Sequence, residues 1–127
     1  MIIIQIVDTN PDYRESVGSL LEVYGYEVWT AAQYTEALAE IDAHPRHPSI
    51  ILVETEQATQ ARQFTEAVHA RDASIAVFYT LMYGSTVRLD EMTLDNVLTK
   101  PFRPVDLIQL IEHELEHHCC GILEGET

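Results

Sequence analysis

Ile50-Ile51-Leu52-Val53-Glu54 is a run of four apolar residues closed by an acid. A stretch this short and apolar at every position reads as a strand of a parallel sheet covered on both faces. Three more predominantly apolar runs also lead into polar residues. Ile2 to Val7 ends in Asp8, Ile75 to Tyr79 ends in Thr80, and Val97-Leu98 leads through Thr99 into Lys100-Pro101-Phe102. In an open α/β sheet ligands meet the carboxyl ends of the strands. Four strand ends therefore bring two carboxylates, a hydroxyl and an ammonium to one side of the sheet.

The segments between these runs have helical periodicity, and alternation of strand and helix predicts a parallel sheet with helices on both faces. Asn10 and Pro11 form a cap and first-turn pair, after which Val17, Leu20, Leu21 and Tyr24 share one helical face. Gly25 stops that helix. Tyr26 to Thr30 is aromatic and β-branched and reads as a short strand. Thr35 opens a helix with a stripe of Ala37, Leu38 and Ile41, and the loop His44-Pro45-Arg46-His47-Pro48 ends it. A third helix is expected over about 58–70, on Ala61, Phe64 and Val68. From Leu81 to Asp95 the apolar pattern is weak, at Val87, Leu89, Met92 and Leu94, so a fourth helix there is expected to be short or irregular. The last helix starts near Pro104 or Val105, with Ile108, Ile111 and Leu115 as its core stripe. The expected layout is one domain over residues 1–118 and a frayed tail over 119–127.

A chain of 127 residues suits one domain with one core. Seven basic residues against twenty-one acidic ones give a net charge of −14, which repels phosphate backbones, and the basic residues are too scattered to make a patch for nucleic acid. Nothing resembles a signal peptide or approaches the roughly 20 apolar residues of a membrane span. Cys119 and Cys120 are adjacent and do not suit a structural disulfide with each other. A reducing cytoplasm is the expected location.

Ile6-Val7-Asp8, Gly25-Tyr26-Glu27-Val28, Thr80 after an apolar strand, and Thr99-Lys100-Pro101-Phe102, in that order and at those separations, resemble a response-regulator receiver domain of the CheY-like superfamily. The resemblance covers about residues 2–118; another doubly wound α/β domain with an incidental Lys-Pro-Phe is the blander reading. The resemblance implies a five-stranded parallel sheet in order 2-1-3-4-5. It also implies a pocket in which two acids and an acceptor aspartate hold Mg²⁺ while a phosphoryl group moves to the aspartate. This sequence departs from that pattern. Glu54 stands at the acceptor position, and Thr9 stands where a second acid normally follows Asp8. A neutral hydroxyl cannot supply the missing charge, so Mg²⁺ binding is expected to be weak or absent. The glutamate carries its carboxylate farther by about one C–C bond, into the space the metal or phosphoryl group would need.

Two readings of this degenerate pocket of Asp8, Thr9, Glu54, Thr80 and Lys100 stay open. In one, Glu54 reaches toward Lys100 and Thr80 as a weaker imitation of a phosphoaspartate, with about one negative charge where a phosphoryl group carries nearly two. In the other, the charged residues are a leftover ion-pair cluster. The family's switch aromatic, three positions before the lysine, is replaced by Val97. Tyr79 and Tyr83 are candidate substitutes, although a buried strand tyrosine and an exposed loop tyrosine explain them as well.

His113-Glu114-Leu115-Glu116-His117 matches HExxH, in which two histidines one helical turn apart hold Zn²⁺ and the glutamate activates water. The motif lies in the last turns of the chain, with no downstream helix for a third ligand and with its histidines off the core stripe, which argues against a zinc hydrolase. His113, His117, His118 and Cys119 remain weak candidates for a metal, with Cys120 beside them. Histidines near a helix C-terminus also complement its dipole without one.

The sequence is read as a stand-alone atypical receiver, not an enzyme, acting in signal transduction through contact with a protein partner and needing no cofactor. Neither nucleic acid nor membrane is an expected partner. Val97, Leu107 and Leu110 form a candidate interaction face for that partner or for a second copy in a homodimer, and packing under the tail is the alternative. The main rival is phosphorylation on another acid, such as Asp8 or Glu56.

Overall fold

The computed structural model describes residues 1–82 and 97–126, the side chains of 117–126 excepted. The elements are β1 (Ile3–Val7), α1 (Pro11–Val23), β2 (Glu27–Ala31), α2 (Tyr34–Ala43), β3 (Ile50–Glu54), α3 (Ala58–Arg71), β4 (Ala76–Met82), β5 (Val97–Lys100) and α4 (Pro104–Glu126). All strand pairings are parallel, and the sheet order is β2-β1-β3-β4-β5, as expected. The short or irregular helix expected before Asp95, like Tyr83, lies outside the described residues.

Each crossover is set by local chemistry. The Asn10 side chain accepts the N–H groups of Asp12 and Tyr13, and Pro11 occupies the first turn, so α1 starts three residues after Asp8. At its far end Gly25 takes φ 91°. There its N–H reaches Glu22 O while that of Tyr26 reaches Leu21 O, the paired bonds of a Schellman cap. The next strand begins one residue later than the sequence suggests, at Glu27, because Tyr26 is still bonded into this cap. The helix after it, α2, begins at Tyr34, and its cap residue Gln33 makes no side-chain cap bond.

The sheet separates two cores. On one face Ile51, Val53, Val77 and Tyr79 pack with Ala37 and Ile41 of α2 and Ala61, Phe64 and Val68 of α3. On the other, Ile4, Ile6, Ile50, Leu52 and Phe78 pack with Val17 and Leu21 of α1 and Leu107, Ile108 and Ile111 of α4. Two expectations for the last helix are corrected. Leu107 is fully buried and Leu110 is packed against the same core, because a helix lying flat on a sheet buries a stripe wider than the single row of Ile108, Ile111 and Leu115. Val97 packs into the opposite core, so Val97, Leu107 and Leu110 do not form one exposed face. The backbone of α4 also stays helical through Glu126, past residue 119 where a tail was expected.

Candidate functional site

Sheet parity builds the site. Ile6, Leu52, Phe78 and Leu98 all face the α1/α4 core, and side chains alternate along a strand. Two residues further along, Asp8, Glu54, Thr80 and Lys100 therefore point the same way. Register completes the grouping, with Val7 beside Val53, Glu54 beside Thr80, and Met82 beside Lys100. The order of strands reverses between β1 and β3, so Asp8 and Glu54 flank the crevice where such a sheet opens.

Within this group the bonds differ from those expected. The Glu54 carboxylate makes no hydrogen bond to Thr80 and no ion pair with Lys100. Its Oε2 accepts the Thr9 N–H at 2.7 Å and the Thr9 hydroxyl at 2.9 Å. Lys100 Nζ instead donates to Asp8 Oδ2. Asp8 Oδ1 accepts the Asn10 N–H at 2.9 Å, and Asp8 O accepts Arg14 Nη1 at 2.7 Å. The reason is local supply. Thr9 offers two donors to one oxygen, while the buried Asp8, 1% exposed, takes the nearest full positive charge. Thr80 is buried and its hydroxyl has no partner among the described residues.

Tyr13 is a part of the site that the sequence reading missed. Its ring lies over Lys100 Nζ, 3.8 Å from the centroid, and meets Phe102 edge-on at 6.3 Å. A signal was available, since Tyr13 sits in the first turn of the helix that follows Asp8. Burial, then the charges of Asp8 and Glu54, push its phenol well above the usual tyrosine range. On the other side of Glu54, Tyr34 stacks on Phe64 at 4.8 Å and donates from its hydroxyl to Glu54 O at 3.1 Å. Its phenol is raised too, by burial first and then by Glu54, Glu56 and Tyr79. Tyr79, offered as a substitute switch, is buried with its hydroxyl 2.6 Å from Thr65 Oγ1.

As arranged, these residues do not fit Mg²⁺. A divalent cation needs several oxygen acceptors. Both Asp8 oxygens already accept bonds, and Thr9 presents an N–H and an O–H toward Glu54. No group of three or more His, Cys, Asp or Glu able to hold a metal occurs among the described residues. His113 is exposed on α4, and the side chains of His117, His118 and Cys119 lie outside the described residues.

A cleft of about 390 Å³ opens beside Glu54, lined in part by Gln33, Tyr34, Glu56 and Gln60. An apolar groove of about 480 Å³ runs past Tyr13, Leu20, Met82, Phe102 and Pro104.

Neither a family model nor a curated protein sequence matches the chain. Solved structures do. The N-terminal domain of a response regulator/sensory box/GGDEF 3-domain protein from Carboxydothermus hydrogenoformans superposes with a TM-score of 0.80 at 18% identity, over 94% of this chain and 98% of that one. The fold is that of a receiver domain. A response regulator receiver protein from Sinorhizobium medicae gives a TM-score of 0.74 at 16% identity, over 92% and 96% of the two chains. The beryllofluoride-activated NtrC4 receiver domain dimer gives 0.76 at 19%, over 93% and 99%. Among the described residues of this receiver-fold chain, no helix is long and apolar enough to cross a membrane.

Proposed function

We propose that this receiver-fold chain is a signalling module that works by contact with another protein and does not take a phosphoryl group onto Glu54. The observation that carries this reading is the clamp of Thr9 on Glu54, with two donors on one carboxylate oxygen at 2.7 and 2.9 Å. A carboxylate attacks phosphorus with an oxygen lone pair, and hydrogen bonds to that oxygen lower its nucleophilicity. The extra methylene also displaces the carboxylate from the aspartate position. Asp8, the nearest rival acceptor, is 1% exposed and engaged by Lys100 and Asn10. Signalling is supported by the fold it shares with response-regulator receivers, and a homodimer remains one form of the contact, as in the NtrC4 receiver dimer.

Incubation with a small acyl phosphate and Mg²⁺, followed by intact mass, tests the reading. The mass is expected to stay unchanged. A stoichiometric gain of one phosphoryl group, on Glu54, Asp8 or Glu56, would overturn it.

A further inference from the structure

We infer that Lys100 is the permanent cation of this pocket, holding the Asp8 carboxylate that a divalent ion would need, so that the folded domain neither requires nor binds Mg²⁺ there. The inference deepens the proposed function and rests on the same pocket.

Two features support it. First, Lys100 is enclosed: Asp8 Oδ2 accepts a hydrogen bond from its ammonium, the Tyr13 ring covers it at 3.8 Å, and its side chain is only 13% exposed. A cation so enclosed, with a π face on one side and a carboxylate on the other, gains from both in a site where water screens little. Second, the pocket acids on this face are Asp8 and Glu54, and Lys100 already offsets one of their charges. Inserting a divalent cation about as close would set it against the ammonium as well as against the Thr9 donors.

The test is thermal unfolding of the whole chain with Mg²⁺ or Mn²⁺ against buffer stripped of divalent cations, paired with the Lys100→Gln variant. A site filled at a hundredfold excess over its dissociation constant would raise the midpoint by roughly 10 °C in a domain of this size. The wild type is expected to show no shift, and a metal-dependent rise of several degrees would overturn the inference. Lys100→Gln frees Asp8 and is expected to acquire a Mn²⁺-dependent rise; a folded variant without one would show that Lys100 is not what excludes the metal, overturning the assignment. If that variant does not fold, calorimetric titration of the wild type with Mn²⁺ decides, since measurable binding heat at one site contradicts the inference and its absence supports it. Failure here is distinct from failure of the proposed function: metal binding without phosphoryl uptake sinks only this inference, whereas phosphoryl uptake seen by mass sinks the other.

Discussion

Replacing Lys100 with methionine keeps most of the side-chain volume and deletes the charge. Asp8 is 1% exposed and the Lys100 side chain 13% exposed, so the pair is a buried one. Removing one partner of a buried pair costs about 3–5 kcal/mol, because the other charge is left without compensation. Asp8 keeps its bond from Asn10 N–H at 2.9 Å, which softens the loss, and the cation–π contact over Tyr13 adds about 0.5–1 kcal/mol back. The expected cost is therefore about 3 kcal/mol, or a fall in melting midpoint of roughly 10 °C. Trp29 is the single tryptophan of the chain, so urea unfolding followed by its fluorescence reads the change. Adding Asp8→Asn closes a double-mutant cycle, and the second substitution should restore part of the loss, with a coupling of at least about 1.5 kcal/mol. A Lys100→Met variant that loses under about 1 kcal/mol, or costs that simply add, would mean that the pair behaves as an exposed one, and the picture of an enclosed cation would be wrong.

Leu107→Ala should cost about 2–5 kcal/mol, because the side chain is fully buried, whereas a partner-facing leucine would change stability by less than about 0.5 kcal/mol. Tyr13→Phe keeps the ring over Lys100 and removes a buried hydroxyl that has no partner among the described residues; stability should hold or rise slightly, and a loss above about 1 kcal/mol would reveal a partner. Asp72 is held below the usual aspartate range, chiefly by Ser74 and then by His47. A folded value below the unfolded one makes its contribution complete above about 3.8 and lost as pH falls through the lower folded value. Asp72→Ala should accordingly flatten the acid side of the stability profile, and an unchanged profile would remove Asp72 from the acid response.

The four strands that end in site residues were legible because buried parallel strands are written as unbroken apolar runs, and parity then fixes which side their final residues face. Helix positions were legible where a chemical stop exists, as at Asn10-Pro11 and Gly25. The last helix was read too narrowly, since Leu107 and Ile108 lie about 100° apart around the helix, and a sheet wide enough to bury both cannot be inferred from period alone. Membership of the pocket was legible, but its bonding was not. Thr9 and Glu54 are 45 residues apart, and Asp8 and Lys100 are 92 apart. Which donor reaches which carboxylate depends on ångström-scale offsets between strand ends and on where α1 sets Tyr13 over Lys100, neither of which leaves a mark in composition or spacing.

Amide NMR of the ¹⁵N-labelled chain titrated with Mg²⁺ and beryllofluoride examines the closed pocket most directly. The signals of Thr9, Asn10, Glu54, Thr80 and Lys100 are expected to stay in place throughout the titration. Saturable shifts centred on those five amides would contradict it, because they would show the Thr9–Glu54 clamp and the Asp8–Lys100 pair opening to admit a metal and a phosphoryl analogue.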